Sequence, residues 1–471
     1  MSNLLSLLVS SSGALDAYSS VLQTVQNNVA NASTPGYAKQ RLQLIALPFD
    51  PASGTSGGVR TGTLVSYRDQ YAEQSVRRQN VSLGAQQQLV DSLTSLQSLF
   101  DISGNQGVPK ALNDMFQAFS AWGSSPTDQG ARQTVVDKAT VLAQSFQQTA
   151  VGLANQEQAA TQQVSQTVDQ VNGLVSKLQQ LNRLAMAGKA SDAGLDAQVN
   201  STLEDLSQLV DFTATKQADG SVTIMNGNQL LLAEDKQYKL VFSQSMPTSP
   251  PPVYPNAAAN VQVLASDGTD ITSQTVNGKL GALLNVRNQV LPSYIGDAYQ
   301  PGDLNRMAQQ FADRVNGLLT SGEIAPGTSG VPLFTYDASN VAKTIAVDPS
   351  VTPDQLAAID PVANVSNGVA LALSQMASPV DAADKIDGVS YTQFYGALAG
   401  RVGGQLNDAT DQSQVQQSLV AQAKSLRQQA SGVSLDEEAT ILIEFQRAYQ
   451  AVSKFITVLD QLTQTTIDMI P

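Results

Sequence analysis

The side chains of this chain that could do chemistry are almost all carboxylates, lysines, tyrosines and serines. The 471 residues include no cysteine and no histidine. This excludes cysteine nucleophiles, disulfides, Ser-His-Asp triads and nearly every zinc or iron site. Among 40 Asp and Glu residues some pair will always resemble a general acid and base, so such a pair carries no information. The sequence therefore predicts no enzyme, no catalytic residue, no metal and no cofactor.

Charge and hydropathy exclude two further classes of partner. The formal net charge is −14, and a chain this acidic with no basic stripe is not expected to bind nucleic acid. No apolar run approaches the roughly 18 residues of a membrane helix, so membrane insertion is not expected. The first basic residue is Lys39, whereas a secretory signal peptide begins with positive charge. Export, if it occurs, is therefore expected without a cleavable signal peptide.

Apolar residues recur in steps of three and four at both ends of the chain. This spacing keeps one stripe of a helix facing a partner, as in a coiled coil. Stripes at both termini suggest that the ends join the chain to something. The alternative interpretation is that the terminal helices pad a globular core. The stripes comprise Leu8, Leu15, Tyr18, Leu22 and Val25 at one end, and Leu442, Phe445, Tyr449, Val452, Ile456 and Leu459 at the other.

The residues after the first helix are of types that terminate a helix. Thr34 precedes Pro35, and a residue before proline is displaced from the helical region. Gly36 permits a turn that a residue with a Cβ resists, and the amphipathic ring of Tyr37 is suited to anchor it. The plain interpretation is a helix stop followed by a loop. The stronger one is a joint that sets the direction of the chain.

Between the ends, the hydrophobic period changes from helical to alternating and back. The predicted fold class is mainly α with an inserted β domain: terminal helices forming a coiled-coil pole, a helical rod domain and a small β-rich middle domain. In chain order the predicted segments are 1–66 (axial helix and extended connector), 67–210 (helical rod), 211–277 (inserted β-rich domain), 278–322 (rod), 323–387 (mixed, possibly part of the insertion), 388–432 (rod) and 433–471 (C-terminal axial helix).

Two runs carry a resemblance to a known family. The first is Asn27-Asn28-Val29-Ala30-Asn31 with Thr34-Pro35-Gly36-Tyr37, and it resembles the N-terminal signature of bacterial flagellar axial proteins of the rod, hook and hook-associated kinds. The second is Leu435-Asp436-Glu437-Glu438-Ala439 followed by Phe445-Gln446, which is similar to the C-terminal signature of the members at the hook–filament junction.

The resemblance implies a structural adaptor that joins hook to filament by packing its terminal helices into the axial tube. It also implies a ring of eleven copies, contacts with the hook protein and the next hook-associated protein, and a location outside the cell in the flagellum. Export through the flagellar type III channel with a chaperone on the C-terminal helix is implied as well. The assembly interface then includes Asn31, Thr34, Pro35, Gly36 and Tyr37 besides the two stripes.

Two alternatives stay open at this point. One is another axial component of the rod or hook type, although the long helical segment 67–210 is not expected of those proteins. The other, from a different class, is a secreted cell-wall hydrolase that depends on carboxylates, which would need a cleft holding two close carboxyl groups.

Overall fold

The computed structural model describes residues 2–50, 55–100, 106–189 and 191–468. The chain divides into two compact units, each built from separate stretches of sequence. The terminal unit comprises residues 1–82, 172–238 and 416–471, and the central unit comprises residues 83–171 and 239–415.

Helices dominate both units, as the hydrophobic period predicts. The long amphipathic rod expected from about Arg132 to Ala187 is a single helix, since Val164, Val168, Val171 and Val175 recur on one buried face. The longer helices are α1 (Ser2–Ala30), α2 (Gln70–Gln97), α3 (Gly107–Ser124), α4 (Gln129–Leu184) and α5 (Ala193–Leu209). After the strands come α6 (Gly278–Asn285), α7 (Leu291–Ile295), α8 (Asp303–Ser321), α9 (Val341–Thr344), α10 (Gly368–Gln375), α11 (Tyr391–Ser431) and α12 (Leu435–Asp468).

The strands form small antiparallel sheets. The first is a hairpin of β1 (Gln40–Asp50) and β2 (Thr55–Ser66). The second is a meander in the order β3-β4-β5-β6, made of Thr213–Lys216, Val222–Asn226, Gln229–Ala233 and Lys236–Gln237. The third pairs β7 (Val241–Ser245) with β8 (Asn260–Leu264). Two short pairs follow: β9 (Glu323–Ala325) with β10 (Thr328–Ser329), and β11 (Phe334–Thr335) with β12 (Ala346–Val347).

The segment 211–277 does contain the expected strands, but it does not form one inserted domain. The meander turns at Gly220 and Gly227, whose φ angles of +85° and +54° are those that Asp-Gly and Asn-Gly hairpins require. It lies in the terminal unit, whereas β7 and β8 lie in the central unit. No ladder joins the two sheets in the described strands, so the β material of 211–277 is divided at Tyr238.

The central unit is built around an aromatic core. Trp122 and Phe119 of α3 are fully buried in it. Phe311 of α8 joins α3 to the segment 323–387, because its ring lies edge-on to Phe116, Phe334 and Tyr391 at centroid distances of 5.4–6.1 Å. Short strands and helical turns of 323–387 therefore close over this core. In this segment Thr344 ends α9, and Ala346–Val347 form the short strand that follows it.

Candidate functional site: the paired chain ends

In the terminal unit, the first helix packs against the last one. The rings of Tyr18 and Phe445 meet edge to face with centroids 5.6 Å apart, a geometry worth about 0.5–1.5 kcal/mol beyond area burial. Below them, Val21, Val25 and Ile441 form a buried cluster. The half-buried residues packed around this cluster are Leu42, Leu44, Leu442 and Phe445. The two stripes found in the sequence thus meet, at least in part, within one chain.

The β1–β2 hairpin is a second partner of α1. The Ser10 hydroxyl donates a hydrogen bond of 2.8 Å to the Gly57 carbonyl. Gly58 has a φ of +125°, and a Cβ there would lie 2.4 Å from the Ser10 Oγ. Only glycine therefore allows β2 to lie this close to α1. The sequence predicts an extended connector here, and the structure folds it into a hairpin that covers one side of the helix.

The buried face of α1 is displaced from the predicted stripe. Small residues at Ser11, Ala14 and Ala17 let neighbouring backbone approach, so this side is buried while the leucines lie at its edge. Val25 and Leu459 are buried, whereas Tyr449 is 38% exposed. The remaining predicted seam residues are half-buried: Leu8, Leu15, Tyr18, Leu22, Leu442, Phe445, Val452 and Ile456.

Asn28 lies at the centre of a buried polar cluster that links the two signatures. Its amide nitrogen donates to the Gln40 carbonyl at 2.9 Å and to the Glu438 carboxylate at 3.1 Å. Its amide oxygen accepts from the Gln40 backbone N–H at 3.0 Å and from the Tyr37 hydroxyl at 2.9 Å. Asn28 is 0% exposed and Glu438 is 1% exposed. We call Asn28, Tyr37, Gln40 and Glu438 the polar node.

The electrostatics of the node keep the tyrosine neutral. Burial, and then the negative charge of Glu438, raise the pKa of Tyr37 to about 12. The hydroxyl therefore stays protonated at any physiological pH and remains a donor to Asn28. The Tyr37 predicted to anchor the turn does so through this hydrogen bond.

A more exposed group of three charged side chains flanks the polar node. Glu437 accepts from the Lys39 ammonium at 2.9 Å and from the Arg41 guanidinium at 2.5 Å. The Lys39 hydrogen bond, with further help from the Arg41 charge, lowers the pKa of the Glu437 carboxyl. Its side chain is 44% exposed, so solvent screens these pairs and they contribute little to stability.

The turn after α1 is held by a buried arginine. The Arg68 guanidinium, with a side chain 4% exposed, donates to the Gly36 carbonyl at 2.6 Å. It also pairs with Asp196 at 2.7 Å and makes a short contact with Glu73. Burial opposes ionisation of Asp196, but the charges of Arg68 and Lys216 outweigh it and lower the pKa of that carboxyl.

Gly36 lies directly against α5. Its φ is +75°, and a Cβ there would lie 2.4 Å from the Ala197 carbonyl oxygen and 2.9 Å from the Ser201 nitrogen. Of the other predicted turn residues, Thr34 and Pro35 are exposed. Asn31 accepts a hydrogen bond from the Thr34 hydroxyl at 3.1 Å, which closes the end of α1. The structure thus places the turn residues together, although their most specific contacts lie within the chain.

Three residues that matter most for this site were not singled out from the sequence. They are Asn28, Glu438 and Arg68. Asn28 and Glu438 stood inside the two signature runs, but nothing in a single sequence shows that residues 410 positions apart touch. Arg68 had no motif around it. The signal available in the sequence for this contact was an apolar helix that ends in two asparagines, together with acidic residues at the start of the other terminal helix.

Apolar side chains remain exposed on the outer sides of the paired ends. On α12 they follow one another at Phe455, Val458 and Leu462, each about half exposed. On α1 Leu5 and Val9 are two-thirds exposed. Phe49, near the tip of the hairpin, is 72% exposed. Apolar area is thus left uncovered on α12, on α1 and near the tip of the hairpin.

Among residues 2–50, 55–100, 106–189 and 191–468, no group of three or more acidic side chains is placed to hold a metal ion. Within the same ranges, no helix combines the length and the hydropathy that crossing a bilayer requires.

Comparison with known proteins gives consistent matches. Residues 93–334 match the family described as the flagellar hook-associated protein FlgK helical domain, and residues 411–469 match the C-terminal family of flagellar basal body rod FlgEFG proteins. Flagellar hook-associated protein 1 of Bacillus subtilis is 27% identical over an alignment that covers 97% of this chain and 96% of that relative.

Alignments with more distant relatives cover a smaller share of each chain. Flagellar hook-associated protein 1 of Salmonella typhimurium is 25% identical, and the alignment spans 74% of this chain and 63% of the relative's length. The solved structure of the flagellar hook junction protein FlgK from Burkholderia pseudomallei superposes with a TM-score of 0.64, at 14% identity, over 76% of this chain and 99% of the other. That likeness concerns the fold.

Proposed function

The chain belongs to the family of the flagellar hook-associated protein FlgK, and from this premise we propose that it joins hook to filament as a structural adaptor. It is an axial component of the flagellum, as its relatives' names indicate. The helix packing of its two termini would form the joint. The observation that carries this proposal is the pair of terminal helices with apolar residues exposed on their outer sides.

The exposed residues suggest how copies associate. A large apolar side chain that goes from fully exposed to fully buried contributes about 1.5–3 kcal/mol. Phe455, Val458 and Leu462 are already about half buried, so together they could supply roughly 2–5 kcal/mol of gross stabilisation. The partially covered seam residues would complete their burial in the same way. We propose that the predicted interface acts at these outer surfaces, while the turn residues position them.

The finer points of assembly also belong to the proposal. We propose a ring of eleven copies in the flagellar axis, with the hook protein on one side and the next hook-associated protein on the other. Before assembly, a chaperone would cover the C-terminal helix, and export would use the flagellar type III channel. The exposed apolar stripe on α12 supports a need for such a cover. The role requires no catalysis.

Tyr449→Asp tests the proposed assembly surface. Tyr449 belongs to the predicted seam of α12 but is 38% exposed. Changes at exposed sites are usually within ±0.5 kcal/mol, so the substitution should leave the melting temperature of the monomer within about 2 °C. In a contact between copies, the same carboxylate would be buried without a partner, which costs several kcal/mol. In a strain lacking the gene, we expect this variant to leave hooks intact and filaments shed into the medium.

The matched control is Gln450→Asp, which introduces the same charge about 100° further round α12, at an exposed residue outside the predicted seam. It should restore filaments as the unchanged protein does. Normal filament retention by the Tyr449 variant would show that this part of α12 is not an interface. Retained filaments in the strain without the gene would refute the adaptor role itself.

A further inference from the structure

We infer that Arg77 anchors a pocket that binds a carboxylate side chain from a second copy of this chain. The pocket lies within the terminal unit, between α2, α5 and the strands β3 and β4. The inference rests on the proposed function to the extent that this function brings copies together. It concerns charged residues, whereas the assembly surfaces proposed above are apolar.

The pocket is small and has a polar rim. Arg77 lines it together with Gln70, Asp196, Asn200 and Lys216, and apolar side chains of α5 and β4 complete the lining. The free space inside is about 40 Å³, whereas one water molecule needs roughly 10–15 Å³. The pocket therefore has room for a group of a few atoms, such as a carboxylate, and not for a sugar or a nucleotide.

An ion-pair network lies beside the pocket, and its carboxylates are fully engaged. Each carboxylate of the network has two cationic partners, one on each oxygen. Asp196, for example, pairs through Oδ2 with Arg68 at 2.7 Å and through Oδ1 with Lys216 at 2.9 Å. The network consists of the carboxylates Glu73, Asp196 and Glu204 and the cations Arg68, Lys216, Lys424 and Arg427.

Arg77 is the cation for which this network has no carboxylate oxygen left. Its side chain is half-buried, yet in the described part of the chain its guanidinium makes no ion pair and donates no hydrogen bond. Burial lowers the pKa of Arg77, and the charge of Glu73 does not offset this effect. A carboxylate bound against the guanidinium would supply the missing acceptor, because arginine can pair with both carboxylate oxygens at once.

Charge complementarity favours a second copy as the source of that carboxylate. With Arg77 included, the group holds five cations and three carboxylates, so Asp196 does not make the pocket negative. The whole chain, by contrast, has 40 acidic and 26 basic residues and a net charge of −14. Other copies of the chain therefore present mainly carboxylates, and a locally positive site is complementary to them.

Arg77→Met tests the pocket in the monomer. Because Arg77 has no partner to lose, the melting temperature should stay within about 2 °C of the unchanged protein or rise. Arg68→Met is the matched comparison, since it makes the same replacement at a residue that pairs with Glu73 and Asp196, and it should lower the melting temperature. An equal loss in the two variants would overturn the inference, because the fold itself would then need Arg77.

Arg77→Lys tests the identity of the occupant. A lysine keeps the positive charge, and its amine forms an amide bond with a neighbouring carboxyl group that a carbodiimide has activated. The full-length variant is treated in dilute solution, in concentrated solution and in isolated flagella. In the last two, we expect a covalent dimer of the chain, linked through position 77 to an acidic residue of the other copy. Dilute monomer should give at least tenfold less of it.

Mass spectrometry of the linked peptides decides between the possible partners. Links from position 77 to Glu73 or Asp196 of the same chain alone would overturn the inference, and so would links to a different protein alone. Arg78→Lys is the control, because this exposed residue lies next to Arg77 but does not line the pocket. It should give at least fivefold fewer dimers, and equal yields from both positions would contradict a specific pocket.

The outcomes separate this inference from the proposed function. A dimer linked through position 77 supports the pocket even if a strain lacking the gene keeps its filaments. Filaments shed by that strain, with no dimer linked through position 77 in any sample, would overturn the inference and leave the adaptor role standing.

Discussion

Gly36→Val is expected to unfold the joint after α1 and to abolish filament attachment. The φ of +75° is strained for a β-branched residue, at about 1–3 kcal/mol. The added Cβ would also lie 2.4 Å from the Ala197 carbonyl oxygen of α5, and overpacking of this kind costs about 1–3 kcal/mol more. The terminal unit should therefore lose roughly 2–6 kcal/mol, measured by chemical denaturation with hydrogen exchange at α1 and α5.

A second glycine separates this effect from the general consequences of adding a side chain. Gly173 lies in α4 of the same unit, and a Cβ there would meet nothing within 4 Å. Gly173→Ala should be neutral or stabilising by up to about 1 kcal/mol, because alanine has the better helix propensity. If Gly36→Val retained both stability and filaments, the turn would be no more than a helix stop, which was the plain interpretation of the sequence.

Arg68→Met should destabilise the terminal unit by about 3–5 kcal/mol. The methionine keeps much of the side-chain volume but removes the guanidinium that pairs with Glu73 and Asp196. Loss of one partner from a buried ion pair costs this much. Arg427 still pairs with Glu73 and Lys216 with Asp196, so we expect the lower end of the range. The Gly36 carbonyl would lose its donor too. Urea unfolding of the purified protein measures the change.

The pH dependence of the variant gives an independent readout. In the unchanged protein, the lowered pKa of Asp196 contributes stability that is present above the ordinary carboxyl pKa and lost as the pH falls through the lowered value. Arg68 is one source of that lowering, so the variant should lose less stability on acidification below about pH 4. Arg41→Met is the control, because its pair with Glu437 is exposed and should be worth less than about 1 kcal/mol. Equal effects of the two variants would contradict the importance of the Arg68 network.

Much of the helical framework could be predicted, because α1, α4 and α12 carry apolar residues at a spacing that only a helix turns to one side. The Asp-Gly and Asn-Gly turns of the meander were predictable for a similarly local reason. The division of residues 211–277 between two units was not, since strand pairing depends on partners distant in sequence. The Glu438 contact with Asn28 and the Arg68 contact with Gly36 depend on such partners as well.

The predicted seam of α1 shows most clearly what hydrophobic periodicity cannot predict. Leucines at heptad spacing pointed to one face of α1, but the structure buries Ala14 and Ala17 beside that face. Periodicity reports where large apolar groups lie, whereas close approach of backbone depends on where they are missing. Hydrophobic patterns alone therefore predict the helices, but they predict the buried face of α1 only to within one side of the helix.

The first helix is almost uncharged, with Asp16 as the sole charged side chain in residues 1–38. Contacts made by such a helix depend on removing apolar area from water, which dissolved salt screens hardly at all. The same contacts weaken on cooling, because apolar hydration becomes less unfavourable at low temperature. A joint built from such a helix would thus be equally stable at low and at high salt concentration, and it would be destabilised by cooling.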